Sequence, residues 1–242
     1  MLTYLEQSSA VHVWWVLLLI NIAIYTGTLA SGWVLLRLSG KKQVFRATRE
    51  SLKKTGISLV TVTINTAITY VGYLLWQNGW IVITSGHTAH IILDFLVLFL
   101  GMDFLMYIFH LFIHRTFLYR AIHGLHHESE NPVPLDLFVL HPLETIGFGL
   151  MWLSLLMVYP ATFYAVVLYL TVNVIFGLAG HLGTEPLPER IRKWPLVKYI
   201  GTSSFHHGHH LDIRCNFGFY TNIWDRLFGT RKKEPVPAKD PE

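Results

Sequence analysis

The sequence predicts an all-α protein, a bundle of helices that crosses a membrane several times. Its composition is the first reason. Apolar residues make up 52% of the 242 residues and charged residues only 14%, whereas a soluble domain usually carries about 25% charged residues. The second reason is three long stretches without Asp, Glu, Lys or Arg, at residues 7–36, 55–93 and 145–184. Because a membrane-spanning helix needs about 20 mostly apolar residues, these stretches are long enough for several spans.

The spans are predicted in order along the chain. The first, roughly residues 13–36, lacks a basic flank before it and is too long for a cleaved signal peptide, so we expect it to be retained. The second covers about 57–76 and the third about 91–112. The last stretch breaks at Tyr159-Pro160, because proline does not continue a helix. We expect a helical pair or hairpin there, which either crosses the membrane fully or enters it and returns.

The basic residues predict the orientation of these spans. Positive charge marks the cytoplasmic side of short membrane loops. If the N-terminus lies outside, all 19 Lys and Arg fall on the inner side, seven of them in residues 37–54, two in 113–144 and ten in 182–242. This topology explains the net charge of +4, and we therefore expect no nucleic-acid partner.

The histidines gather on the same predicted inner side, where 11 of the 14 fall. They form four groups, FHLFIH (109–114), HGLHH (123–127), GHLG (180–183) and FHHGHH (205–210). Clustering of this kind is hard to explain by packing alone, and it indicates a metal site. We expect the isolated His12, His87 and His90 to be structural. His207 occupies the variable position of its motif, and the sequence favours neither a structural nor a ligand role for it.

The spacing of the histidines favours two metal ions. His110 and His114 are four apart and share one helix face. In each HxxHH group we expect the first two histidines to share a face and the third to point about 100° away, toward a second metal or another vertex. Imidazole suits iron, zinc, copper and nickel, and the single cysteine, Cys215, rules out a CxxC thiolate site. One metal takes about four to six ligands, and nine imidazoles therefore suit a pair. The nine are His110, His114, His123, His126, His127, His181, His206, His209 and His210.

Two other classes of protein compete with an enzyme. A membrane metal transporter or metal store would place polar ligands along several spans. A bis-histidine haem protein of electron transfer would need facing histidine pairs, often near both membrane surfaces. The one-sided HxxHH repeats disfavour both classes. The alternative that stays open is a histidine-rich membrane protein that binds or transports metal without oxygenase activity.

The ordered motifs FHLFIH, HGLHH, HPLE, GHLG and FHHGHH, followed by NFGFYTNIWDRLFGT at 216–230, resemble the fatty acid hydroxylase superfamily, most closely its sterol desaturase-like branch. The resemblance implies a non-haem di-iron enzyme of the membrane that uses O2 and two electrons to hydroxylate or desaturate a lipid, sterol-like or fatty acyl. The family's ligand positions fall on the nine histidines above, and no catalytic residue beyond the metal centre is expected. Gly177 stands where fatty acid 2-hydroxylases have a further histidine, which disfavours that subgroup.

The resemblance also predicts the organisation of the chain. Residues 1–90 are expected to form N-terminal spans and a basic inner loop, and residues 91–230 the helical, histidine-rich catalytic domain on the cytoplasmic side. Residues 231–242 are charged and proline-rich and are predicted to be disordered. We read Trp224, Asp225 and Arg226 as docking the C-terminal segment onto the metal domain.

Further residues are candidate hydrogen-bonding partners of the ligands, because a metal-bound histidine usually donates its other N–H to a carboxylate or carbonyl. Asp103 is the first of them, with a purely structural polar role as the equal alternative. A carboxylate inside a span is costly and is functional by default, and Asp103 shares a helix face with Tyr107, His110 and His114. The other candidates are His141 and His207, with Asn173, Asp212, Glu144 and Glu185 as weaker ones.

The cofactors and partners follow from the resemblance. Two iron ions are expected, although zinc or another first-row metal would also bind imidazole, with O2 as co-substrate. The partners are a lipid from the bilayer and a separate electron donor, of cytochrome b5 or ferredoxin type, with its reductase. The chain ends without an endoplasmic reticulum retrieval signal. We therefore favour a bacterial inner membrane, with the endoplasmic reticulum as the alternative.

Overall fold

The computed structural model describes residues 2–40, 48–86 and 88–232, and these residues are mostly helical, as the composition predicts. The predicted disordered tail falls largely on residues 233–242, outside this part of the chain. The helices and strands are α1 (Leu2–Gln7), α2 (Ala10–Leu38), α3 (Arg49–Gln77), β1 (Ile83–Thr84), α4 (Thr88–Arg115), a π-helical turn (Tyr119–His123), α5 (Gly124–His127), a 3₁₀ turn (Pro134–Phe138), α6 (Pro142–Val158), β2 (Ala161–Thr162), α7 (Phe163–Gly180), α8 (Glu189–Arg192), a 3₁₀ turn (Val197–Tyr199), α9 (Ser203–Leu211) and α10 (Ile223–Leu227).

The predicted spans correspond to the long helices. Within the described ranges, α2, α3, α4 and α7 are each long and apolar enough to cross a membrane, and α6 is a shorter apolar helix. The bundle of three spans plus a pair is therefore confirmed. Helix α3 begins at Arg49, earlier than the predicted span, because Thr48 caps it. Its hydroxyl accepts from the N–H of Ser51 at 3.1 Å, and the Ser51 hydroxyl accepts from the N–H of Thr48 at 2.9 Å.

The hairpin of α6 and α7 runs the length of the bundle. Its turn pairs with the loop between α3 and α4, where Ile83 lies opposite Ala161 and Thr84 opposite Thr162 in parallel strands. The carboxylate of Asp94, on α4, accepts from the Tyr159 hydroxyl and the Thr162 N–H, both at 2.8 Å. Two short strands and one buried carboxylate therefore fix the turn beside the start of α4.

The main core packs α4 against this hairpin. Leu98 and Met102 of α4, Leu153 of α6, and Ala165 and Tyr169 of α7 are all buried in one apolar cluster. This packing brings the C-terminal end of α4, the N-terminal end of α6 and the C-terminal end of α7 together at the end of the bundle opposite β1 and β2. The shorter helices α5 and α9 lie at the same end, together with residues 216–230, here called the C-terminal segment.

Candidate metal centre

All nine histidines predicted as ligands meet at this end of the bundle, in two groups. The five-histidine group consists of His110, His114, His123, His127 and His209, and the four-histidine group consists of His126, His181, His206 and His210. In each group one nitrogen from every histidine lies within 4.8 Å of all the others. Each group can therefore hold a metal ion.

The helical repeat divides each HxxHH motif between the groups, but the expected pairing was wrong. The first and third histidines belong together, as His123 with His127 and His206 with His210, and the middle histidine joins the other group. At about 100° per residue, positions four apart differ by roughly 40° in direction and positions three apart by roughly 60°. The pair with the smaller angle belongs to one group, and the middle histidine of each motif belongs to the other group.

Short distances between Nε2 atoms define both groups. The Nε2 of His110 lies 3.0 Å from that of His123 and 3.1 Å from that of His114. In the four-histidine group, the Nε2 atoms of His181 and His126 are 3.3 Å apart. With metal–nitrogen bonds of about 2.0–2.1 Å, neighbouring ligands at 90–110° would be roughly 2.8–3.4 Å apart. The observed spacing therefore fits the edges of a coordination polyhedron.

Several imidazoles are oriented by a hydrogen bond from the opposite nitrogen. The Nδ1–H groups donate to backbone carbonyls in three cases, from His110 to Phe217 (2.9 Å), from His209 to Cys215 (2.7 Å) and from His181 to Gly177 (2.8 Å). A proton held on Nδ1 leaves the lone pair of Nε2 free to bind metal. The sequence does not indicate which carbonyls act in this way, because every residue has one and no side chain marks it.

Glu144 provides the carboxylate of the site. Its Oε1 accepts from Nδ1 of His123 at 2.7 Å, and its side chain is only 1% exposed. It lies in the first turn of α6, where the core packing places it beside the π-helical turn. Glu144 was a weak candidate from sequence. The sequence feature that could have identified Glu144 is its position as an isolated acid at the start of a long apolar helix.

Burial keeps the histidines neutral. Desolvation, followed by repulsion from neighbouring imidazoles, lowers the pKa of the histidines outside the spans. The pKa of His210 falls to about 3, and the pKa values of His123, His126, His206 and His209 fall well below the usual 6.5. Neutral imidazole is the form that binds metal.

Asp103 supports the centre indirectly, which corrects the expected direct contact. Its carboxylate accepts from the N–H groups of Tyr220 (2.9 Å) and Thr221 (3.1 Å) and from the indole of Trp224 (3.0 Å). These bonds hold the C-terminal segment against α4, and that segment carries the Phe217 carbonyl that orients His110. The loop that contains Tyr220 and Thr221 directs its N–H groups toward the Asp103 carboxylate, which therefore binds backbone and not an imidazole.

The remaining candidates also contact groups other than the ligands. His141 caps α6 by accepting from the N–H of Leu143 at 3.2 Å. Among the described residues, His207 belongs to neither group.

The weaker candidates bond to other parts of the chain. Asn173 accepts from the Tyr220 hydroxyl at 2.7 Å, and Asp212 pairs with Arg214 at 3.2 Å. Glu185 accepts from the N–H groups of Leu187 and Ser204. His12 contacts the Tyr4 hydroxyl, and His87 lies outside the described residues.

The closing motif docks the C-terminal segment, as predicted. Trp224 bonds to Asp103, and the carboxylate of Asp225 accepts from the N–H groups of Phe217 (2.8 Å) and Gly218 (2.7 Å). The buried ring of Phe217 packs edge-on against His110 and lies close to His114 and His209. The motif thereby places both a carbonyl and an apolar wall beside the five-histidine group.

The chain belongs to the fatty acid hydroxylase family, whose model matches residues 95–230, more than half of its length. It is 31% identical over 162 residues to lathosterol oxidase of Rattus norvegicus, across 65% of this chain and 48% of that protein. It is 30% identical over 176 residues to Protein CER1-like 2 of Arabidopsis thaliana, across 70% and 28%. It is 29% identical over 189 residues to very-long-chain aldehyde decarbonylase GL1-4 of Oryza sativa subsp. indica, across 71% and 29%.

The chain thus spans about half, or less, of the length of these curated relatives. No solved structure matches it. The resemblance inferred from the histidine motifs is confirmed, and the relatives include enzymes named for acting on a sterol and on aldehydes.

Proposed function

We propose that this protein is an integral membrane di-iron oxidoreductase that uses O2 and two electrons to hydroxylate or desaturate a lipid, sterol-like or fatty acyl. The observation that carries the proposal is the convergence of nine buried imidazoles into two linked groups. Membership of a family that includes a lathosterol oxidase supports oxidation of a lipid.

The donor set fits a pair of iron ions. All nine donors are imidazole nitrogens, which suit iron, and the carboxylate of Glu144 lies behind one of them. We propose that the five-histidine group holds one ion and the four-histidine group the other. When bound, the metal pair would supply the activation of O2, for which amino-acid side chains alone are unsuited.

The residues of the chain would position the reactants and keep water away. The Phe217 ring covers one side of the five-histidine group, and the Phe219 ring lies 6.4 Å from the ring of His206 in the other group. Because the groups lie where α4 and α7 end, a lipid could reach them from the bilayer with its reacting carbon near the membrane surface. We propose that this end faces the cytoplasm, since the described basic residues flank it.

The electron donor is proposed to be a separate protein of cytochrome b5 or ferredoxin type with its reductase. A basic groove lies behind α9, on the side where Phe205 and Gly208 face outward from the ligands. Its cationic residues are Arg192, Lys193, Lys198, Arg231 and Lys232. An acidic donor bound there would be separated from the histidines by a single helix, and opposite charges would speed its association.

Metal content is the first test. Elemental mass spectrometry of detergent-purified protein should find about two first-row metal ions per chain, and the variant His126→Ala/His209→Ala should lose both. Haem iron, or folded protein with little metal, would refute the di-iron proposal. The reconstituted protein should then be supplied with lipid, reductant and ¹⁸O2. A labelled alcohol indicates hydroxylation, and an alkene without label indicates desaturation.

The competing function is metal binding or transport without oxygenase activity. It predicts bound metal that exchanges freely and no lipid product under the same conditions. A range of sterols, fatty acyl lipids and long-chain aldehydes should be offered, because the named relatives act on different lipid classes. Bound metal with no product from any of these would favour the competing function.

A further inference from the structure

Residues 129–138, here called the cover segment, connect α5 to α6 and pack between helices α2, α3 and α7. A Cβ atom added at Gly32 of α2 would lie 2.6 Å from the ring of Pro134, and one added at Gly177 of α7 would lie 2.7 Å from Leu137. The ring of Phe138 packs edge-on against Tyr25 at 4.9 Å. The segment therefore fills the space between the N-terminal helices and α7, with little room for displacement.

One lysine of α3 joins both ends of the cover segment. The ammonium of Lys54 donates to the Ser129 hydroxyl at 2.7 Å and pairs with Oδ1 of Asp136 at 3.0 Å. The lysine side chain is 20% exposed and that of Asp136 only 2%. The other oxygen of Asp136 accepts from the N–H of Val133 at 2.9 Å, which closes the 3₁₀ turn.

Both ends of the segment lie beside the four-histidine group. A Cβ atom added at Gly183, two residues after His181, would lie 2.5 Å from the Pro132 carbonyl of the segment. Leu137 packs against Gly177, whose carbonyl accepts from Nδ1 of His181. Ser129 also follows His126 by three residues. The five-histidine group is supported elsewhere, by Glu144 and by the C-terminal segment.

We infer that Lys54 is a positioning residue for the four-histidine group. Its ammonium holds the cover segment across that group, and it thereby controls metal occupancy at one of the two sites. This inference rests on the proposed binding of two metals. Lys54 lies outside residues 95–230, so the region matched by the family does not contain it.

The test compares two neighbouring lysines. Lys53 pairs with Glu128 at 3.4 Å, but both side chains are more than half exposed, so Lys53→Met is the matched control for Lys54→Met. We expect about two metals per chain in the wild type and in Lys53→Met, and about one in Lys54→Met. Lys54→Arg should keep two, because it retains a charge that can pair with Asp136.

Combined variants identify the site that empties. Adding His126→Ala to Lys54→Met should leave the content at about one metal, because both changes affect the four-histidine group. Adding His209→Ala instead should bring it close to zero. The opposite pattern would contradict the inference, as would two metals retained in Lys54→Met, or both lost from folded protein.

The change leaves a buried carboxylate unpaired, so Lys54→Met is the variant most at risk of unfolding. If it unfolds, Lys54→Met/Asp136→Asn replaces it under the same criteria, since asparagine removes the charge and still accepts from Val133. A wild-type protein without metal would refute the proposed function together with this inference. Two metals in both the wild type and Lys54→Met would refute this inference alone.

Discussion

The two histidine groups use the same ligand but are supported in different ways. Three imidazoles of the five-histidine group donate Nδ1–H to a fixed acceptor, namely Glu144 or the carbonyls of Phe217 and Cys215. The four-histidine group has one such bond, from His181 to the Gly177 carbonyl, and depends otherwise on the cover segment. A histidine motif can supply the ligands of two sites without giving them equal rigidity. We expect the five-histidine group to bind its metal more tightly.

Removal of one ligand from each group in turn should give the largest effect. His209→Ala and His126→Ala should each lower the metal content from about two to about one, because each histidine belongs to a single group. The remaining metal should resist a chelator for longer in His126→Ala, which leaves the five-histidine group intact. Equal rates of chelator removal in the two variants would contradict the difference in rigidity.

Replacement of the carboxylate should weaken one group only. Glu144→Gln removes the negative charge behind His123, and we expect metal affinity at the five-histidine group to fall about 10–100-fold, the usual cost of losing such a partner. Competition with a chelator of known affinity measures this change. Glu185→Gln is the control, since within the described structure Glu185 accepts from the backbone N–H groups of Leu187 and Ser204. A similar loss in the control would show that any acid at this end has the same effect.

The two aspartates of α4 allow a smaller and more local comparison. Asp103→Asn should loosen the C-terminal segment and lower affinity at the five-histidine group by up to about tenfold, because it acts through the carbonyl bound to His110. Asp94→Asn weakens the hairpin turn at the far end, and we expect it to lower the melting temperature while metal content stays at the wild-type value. Equal metal loss in both variants would contradict a local role for Asp103.

Lowering the pH should give the smallest difference in metal release between the two groups. Burial lowers the pKa of histidines in both, to about 3 for His210 and well below 6.5 for His123 and His209. Below pH 6.5 the unfolded chain therefore binds more protons than the folded one, so the unfolding free energy of metal-free protein falls as the pH drops. We expect both metals to leave between about pH 6.5 and 5, the metal of the four-histidine group slightly before the other because it is bound less tightly. Earlier loss from the five-histidine group would contradict the expected difference in affinity.

The convergence of the nine histidines could be predicted because their spacing and the order of the apolar spans are both local features of the sequence. Helix geometry and the order of the spans predict that His110 and His114 act together. They also predict that each HxxHH motif is divided between two groups. The predicted pairing of histidines within HxxHH was wrong because side chains three and four positions along a helix point in similar directions. Only the position of the site relative to the helix decides which of the two pairs with the first histidine. The role of Glu144 could not be predicted because its contact with His123 depends on how α6 packs against the π-helical turn.

The supports could not be predicted for a different reason. Carbonyls such as that of Phe217 carry no sequence signal, and the bond between Asp103 and Tyr220 joins residues 117 positions apart. Asp103 was recognised as costly in a span, but sequence gave no means of choosing between an imidazole and a loop N–H as its partner. Lys54 resembles the other lysines of its basic loop until the fold places Asp136 beside it.

The strand pair at the far end of the bundle has a consequence for insertions and deletions. Asp94 and β2 fix the start of α7, and His181 follows the 18 residues of that helix, about 27 Å away. One residue added within α7 would turn His181 by about 100° and shift it by about 1.5 Å along the helix axis. The length of α7 between the strand pair and the four-histidine group should therefore tolerate no change.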